Sequence, residues 1–202
     1  MIAIIDYGVG NLFSLSSSLR FLGLANMVTN RPEELAAAER LILPGVGAFG
    51  DAAAKLKSGG LFKLIRELAA AGKPLLGICL GMQLLFERSL EYGEHEGLGL
   101  IPGSVEELKP DIPAELKVPH IGWNSLHILR EDPLFRYFRE GEYVYYVHSF
   151  YAKECGPSTL ATSDYGVAVT GVVRQGSVWG TQFHPEKSGE AGLRLLKAFS
   201  EV

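Results

Sequence analysis

LLGICLGMQLLFE, residues 75–87, sets a single cysteine between two kinds of apolar run. PLLGI (74–78) is short and continuous, as a buried strand is, whereas GMQLLFERSL (81–90) reads as a helix. Gly77 and Gly81 stand two places to either side of Cys79. This G-x-C-x-G pattern is the thiol counterpart of the nucleophile elbow, a tight strand-to-helix turn on which a reactive side chain is displayed. Such a turn needs unusual dihedrals and close backbone approach, which glycines allow because they have no Cβ. A following helix would aim free N–H groups and a positive dipole end at the sulfur, favouring thiolate. The Leu80 amide would point where an oxyanion forms. From the glycine pair alone, a buried structural cysteine is an equal alternative.

Working outward, the first half of the chain alternates strand-like and helix-like runs. IAIID (2–6), ANMVT (25–29), RLILP (40–44) and PLLGI read as strands. NLFSLSSSLRFLG (11–23), with Gly23 as its C-cap, and LFKLIRELAAAG (61–72) read as helices. Alternation of this kind predicts an α/β fold with a mainly parallel central sheet flanked by helices. Functional sites in such sheets lie at the carboxyl ends of strands. Cys79 and the loop Pro44–Gly45–Val46–Gly47 both fall at such ends. The second half, with YVYYVHSFYA and GVAVTGVVRQGSVWGTQF, is β-branched, aromatic and broken by glycines, so added antiparallel strands are expected there. A closing helix in SGEAGLRLLKAFSEV would pack Leu193, Leu196 and Phe199 on one face.

At 202 residues the chain is expected to form one domain, 1–202. Its 47% hydrophobic and 21% charged content is that of a soluble globular protein. A net charge of −4 with no basic run argues against nucleic acid or an anionic membrane as partner. No apolar stretch approaches the roughly 18 residues of a membrane span, and the N-terminus lacks the pattern of a signal peptide. Two distant cysteines make no disulfide framework, so a reducing cytoplasm is the expected setting.

Acyl chemistry at a thiolate needs a base. Of the five histidines, His95 lies in a charged loop and is expected to be solvated, and His127 has no carboxylate at fixed spacing. His120 and His148 sit in more structured contexts. His184, in Gln182–Phe183–His184–Pro185–Glu186, stands apart. A residue before proline is driven to extended dihedrals, and in an extended segment residues i and i+2 project to one side. Glu186 can then stand beside the imidazole, fix its tautomer and stabilise the imidazolium. Cys155, in the polar turn AKECGPS, has none of this context.

Cys79 in GICLGMQ and His184–Glu186 in GTQFHPEKS together resemble the nucleophile and base elements of the class I (triad) glutamine amidotransferases. DYGVGNLFS (6–14), LPGVGAFG (43–50) and PHIGWN (119–124) narrow the resemblance to the glutaminase subunits of imidazole glycerol phosphate synthases, which act in histidine biosynthesis. The resemblance covers nearly the whole chain and implies a flavodoxin-like glutaminase domain. It implies that Cys79 attacks the glutamine carboxamide to form a γ-glutamyl thioester, that His184 protonates the leaving ammonia and then activates water, and that Glu186 orients His184. Oxyanion donors would be the amides of Leu80 and of the 45–47 loop, with Val46 favoured. Gln83, one helical turn after Cys79, would pair with the substrate glutamine, and Gly47 and His148–Ser149–Phe150 would complete its site. Phe150 stands where many relatives have tyrosine.

Gly10, Asn11, Trp123, Tyr145 and Lys187 resemble contacts with a (β/α)8-barrel cyclase subunit, which in a heterodimer would receive the ammonia. No cofactor or metal is expected. GVGNL is too short for a phosphate loop and lacks its lysine, and Cys79, His184 and Glu186 lack the paired spacing of zinc motifs. A glutaminase of another pathway, such as pyridoxal phosphate synthesis, fits PHIGWN and the PGVG loop less well. A cysteine hydrolase on the same scaffold fits His-Pro-Glu poorly. A non-catalytic binding module would leave the Cys–His–Glu set a coincidence.

Overall fold

The computed structural model describes residues 1–202. The chain opens with β1 (Ile2–Ile5), α1 (Leu12–Phe21), β2 (Asn26–Thr29), α2 (Pro32–Ala37), β3 (Arg40–Leu43), α3 (Phe49–Ser58), α4 (Leu61–Ala70), β4 (Leu75–Ile78) and α5 (Leu80–Gln83). Then follow β5 (Phe86–Ser89), β6 (His95–Glu96), β7 (Ile101–Glu107), β8 (His120–Ser125), β9 (His127–Ile128), β10 (Tyr143–His148) and β11 (Phe150–Lys153). The chain closes with β12 (Thr159–Asp164), β13 (Ala168–Gln175), β14 (Val178–Thr181) and α6 (Gly189–Phe199).

The main sheet has eight strands in the order β2-β1-β3-β4-β14-β13-β12-β9. Its first five strands run parallel and the rest are joined antiparallel, as the change in sequence character halfway along the chain predicts. Strands buried on both faces supply two cores. In β1, Ala3 and Ile5 enter one core with Leu35, Leu56 and Ile65 of α2, α3 and α4. Ile2 and Ile4 enter the other with Leu15 and Leu19 of α1 and Leu195, Leu196 and Phe199 of α6. Helices thus cover both faces, which a parallel sheet requires. No helix is long and apolar enough to cross a membrane.

Several expectations change. The helix over 81–90 is only one turn long: α5 ends at Gln83 and the chain re-enters a strand at Phe86. Met82, Leu84, Leu85 and Phe86 are all fully buried, so no polar face exists for a longer helix to present. Instead β5 pairs with β7 and β6, and Gly97 packs against it so tightly that a Cβ there would lie 2.1 Å from the Phe86 carbonyl oxygen. In α6 the inward leucines are Leu195 and Leu196, while Leu193 is half-buried. Cys155 is buried against the Thr159 and Thr170 hydroxyls rather than lying in an open turn. His95 is half-buried in β6 and packs over Gly50, where a Cβ would come within 2.7 Å of its ring. His127, without a carboxylate nearby in sequence, meets Glu140 at 2.9 Å across the fold.

Candidate active site

β4 ends at Ile78, and Cys79 turns the chain with φ 54° and ψ −112°, a conformation that costs a non-glycine residue on the order of 1–3 kcal/mol. The flanking glycines are sterically required. A Cβ on Gly77 would lie 2.6 Å from the Gly81 carbonyl oxygen, and one on Gly81 would lie 1.8 Å from the Leu43 carbonyl oxygen. The second contact joins the elbow to the end of β3 and hence to the 44–47 loop. Tyr7 holds that loop by donating its hydroxyl to the Pro44 carbonyl at 2.7 Å, and Gly45 packs on Gly81 N and Leu80. Burial raises the Tyr7 pKa, with the nearby Cys79 adding to the shift, so its phenol stays a donor. Neither Leu80 N nor Val46 N donates to another backbone group. With α5 only one turn long, the local amides, rather than a long helix dipole, are what the sulfur meets.

His184 follows β14 in an extended conformation, and Pro185 opens a single 3₁₀ turn, Pro185–Lys187. Glu186 therefore reaches the imidazole from a turn rather than from the extended segment expected, but the pairing is the same. His184 Nδ1–H donates to Glu186 Oε1 at 2.8 Å, with both side chains almost fully buried. His184 Nε2 is buried without a hydrogen-bond partner of good geometry. Burial pulls the His184 pKa down, but hydrogen bonding and charge from Cys79 and Glu186 outweigh it and raise the value to about 9. The sulfur is thus close enough to act on the ring although no well-aligned bond joins them, a looseness common in unliganded sites.

Cys79, Leu80, Val46, Gly47, Gln83, His148, Ser149 and Phe150 line one pocket of about 180 Å³, together with Glu91 and Tyr92. This volume is below the roughly 300–1,000 Å³ of pockets for drug-sized ligands, so it suits a small one. A larger cleft of about 720 Å³, lined by Asp6, Tyr7, Asn30 and Lys55 among others, contains no cysteine or histidine. The Gln83 NH2 group is already committed: it donates to the Phe150 carbonyl at 2.9 Å and to Gln182 Oε1 at 3.1 Å. Only its carbonyl oxygen is free to face a ligand. Phe150 contributes a ring set edge-on to Tyr92.

Gln182 and Glu91 escaped the sequence reading. Gln182 is fully buried and directs its Nε2 at Cys79 Sγ, 3.9 Å away. A polar residue inside the apolar run VWGTQF was the available signal. Glu91 accepts the Phe49 amide at 2.6 Å, and nothing in sequence places it at the pocket because the turn carrying it lay inside or beside the expected helix.

Trp123 is 55% exposed and meets Tyr145 edge-on. Lys187 is exposed and Gly189 touches the Trp123 ring. Asn11 has a local task as N-cap of α1, accepting the Ser14 amide, and Gly10 packs on Pro44. No cluster of three or more His, Cys, Asp or Glu is placed to hold a metal ion.

The chain is 52% identical over its whole length to the Listeria monocytogenes serovar 1/2a "Imidazole glycerol phosphate synthase subunit HisH", covering 96% of that protein. It is 50% identical to the Bacillus cereus protein of the same name, covering 95% of it. In fold it resembles a solved glutamine amidotransferase (TM-score 0.77, 22% identity, 100% of this chain and 98% of that one). It also resembles a chain of the Thermotoga maritima PurLQS structure (TM-score 0.77, 21% identity, 99% and 97%). The family model "Glutamine amidotransferase class-I" matches residues 3–201. From one end to the other, then, the chain belongs to the class I glutamine amidotransferases.

Proposed function

We propose that this chain is the glutaminase subunit of an imidazole glycerol phosphate synthase, hydrolysing glutamine and passing the ammonia to a cyclase subunit. The observation that carries the chemistry is one small pocket lined by Cys79, Leu80 and Val46, with Cys79 coupled to the buried His184–Glu186 pair. The pathway rests on the identity to the HisH relatives over the full length. Cys79 Sγ attacks the carboxamide carbon, and the Leu80 and Val46 amides stabilise the oxyanion. His184 delivers a proton to the leaving ammonia. The same imidazole then takes a proton from water, which cleaves the thioester and releases glutamate. Glu91, the carboxylate lining the pocket, is the partner for the substrate ammonium. Free ammonia is largely protonated near neutral pH, so a barrel docked over Trp123, Tyr145, Lys187, Gly10 and Asn11 keeps it nucleophilic.

Glutamate release by the chain alone and mixed with the candidate barrel tests this. Stimulation by the barrel, with co-elution in gel filtration at micromolar concentration, is the expected result. Separate elution and an unchanged rate would remove the pathway assignment.

A pH dependence follows from His184. Its pKa is raised, so the imidazolium persists to about 9 and is lost above that. The stability that the pair contributes is correspondingly full below about 6.5, the ordinary histidine value, and lost as pH rises through about 9. The alkaline limb of kcat/KM is expected near 9. Glu186→Gln removes a charge and weakens the acceptor, so the limb should move toward neutrality. An unmoved limb in that variant would show that Glu186 does not set the proton affinity of His184.

A further inference from the structure

β8 has two faces. Ile121 and Trp123 point outward, 58% and 55% exposed, whereas His120 is buried at 3%. The His120 ring is stacked between two tyrosines, Tyr165 at 3.9 Å and Tyr146 at 4.7 Å, with interplanar angles of 20° and 19°. Its Nδ1 lies 3.0 Å from His148 Nε2, and His148 Nδ1 lies 3.0 Å from the Phe150 carbonyl oxygen. A carbonyl only accepts, so His148 carries its proton on Nδ1. In the neutral ring Nε2 then accepts, and His120 must donate from its own Nδ1. The Asn124 amide approaches the remaining His120 Nε2 at 3.5 Å. Burial lowers the pKa of both rings, to about 4 for His120 and about 3 for His148, in keeping with two neutral imidazoles.

The chain of bonds continues into the active site. The Phe150 carbonyl also accepts from Gln83 Nε2, Gln83 donates to Gln182 Oε1, and Gln182 Nε2 faces Cys79 Sγ. Each donor and acceptor in this run is determined by its neighbour. His120 itself lines neither the pocket nor the triad.

We infer that His120 is a positioning residue for glutamine hydrolysis: it locks His148 in the Nδ1-protonated form, and so holds the Phe150 carbonyl and the Gln83 amide that wall the pocket. Without the His120 donor, His148 Nε2 becomes a buried acceptor with no partner. Moving the proton to Nε2 would turn the Nδ1 lone pair against the Phe150 oxygen. Either outcome loosens the wall that holds substrate, in the ground state and transition state alike.

The inference rests on the glutaminase reading, and its test separates the two. His120→Phe keeps the stack between the tyrosines and removes only the hydrogen bonds. It is expected to raise KM for glutamine about tenfold with kcat within about twofold, the signature of lost uniform binding. His120→Gln, which can donate from its own amide, is expected to restore KM. Alkylation of Cys79 by iodoacetamide should be equal in all three proteins. A wild-type KM in His120→Phe overturns the inference, as does a fall in kcat alone or a His120→Gln protein no better than His120→Phe. If His120→Phe does not fold, ring-nitrogen NMR of the wild-type chain at neutral pH decides: a His148 protonated on Nε2, or charged, overturns it. If the wild-type complex releases no glutamate, the glutaminase reading fails, and the NMR measurement still decides the tautomers.

Discussion

Cys79→Gly is expected to abolish glutamine hydrolysis and to be more stable than Cys79→Ala. The loss of turnover should be at least about 10⁴-fold, since the thiol is the nucleophile and the remaining amides give only residual catalysis. The stability gain has a separate cause. Cys79 sits at φ 54°, ψ −112°, where a Cβ is strained and glycine is not. Relief on the order of 1–3 kcal/mol is partly offset by the greater freedom of glycine in the unfolded chain, about 0.4–1 kcal/mol. A net gain of about 1 kcal/mol corresponds to a rise of about 2–4 °C in Tm. The thiol's own contribution is a separate loss: its contacts to the Val147 carbonyl and from Gln182 are long at 3.9 Å, but the side chain is buried and its interaction with His184 raises that pKa, so the strain is read against a variant that loses the same thiol. Cys79→Ala keeps the Cβ, loses the same thiol contacts and should be equally inactive, so the difference in Tm between the two variants isolates the strain. Turnover by either variant would remove Cys79 from the mechanism, and a Tm for Cys79→Gly no higher than that of Cys79→Ala would show that the elbow is not strained.

The parts of this site that sequence discloses are those whose constraint is local. Gly77 announces the elbow because the crowding that excludes a Cβ there arises within the turn, from Gly81 and Met82, whereas the crowding at Gly81 comes from Leu43 and Pro44 at the end of β3 and is legible only through the G-x-C-x-G spacing. His184 and Glu186 are two residues apart, and Pro185 limits how they stand, so their meeting was readable even though the chain achieves it with a 3₁₀ turn. The alternation of strands and helices disclosed the sheet, with Cys79 and the 44–47 loop at strand ends. The hidden parts depend on register between distant segments. His120 faces His148 because β8 and β10 pair antiparallel with those two residues opposite each other, and no feature of either segment states that register. Gln182 meets Gln83 only through the pairing of β14 with β4 and the single turn of α5. The overlong helix at 81–90 shows the same limit: its local pattern is helical, and the burial of Leu84, Leu85 and Phe86 from all sides overrode it. That one misplacement concealed Glu91, because the turn carrying it follows a strand instead of a helix.

Gly81→Ala is expected to have the largest effect of any single methyl group added to this chain. The new Cβ would lie 1.8 Å from the Leu43 oxygen, 2.8 Å from its carbonyl carbon and 3.1 Å from the carbonyl carbon of Pro44. All three are backbone atoms, so no side-chain rotation relieves the contact. Either the elbow or the end of β3 must move by more than 1 Å, and β3 leads directly into the loop carrying Val46. Overpacking of this kind costs about 3 kcal/mol, or about 6–12 °C in Tm for a chain of this size. Displacing the oxyanion donors relative to the sulfur by that distance costs a further factor of about 10² in kcat. Gly176→Ala is the control for an added methyl group without a clash: Gly176 has a positive φ, at 59°, which Gly81 does not, and a Cβ there meets nothing within 4 Å. It should cost only about 1–2 kcal/mol and leave kcat unchanged. Thermal unfolding and glutamate release measured on both variants separate the two contributions. A Gly81→Ala protein as stable and active as Gly176→Ala would mean that the elbow and the 44–47 loop are not packed against each other as a unit.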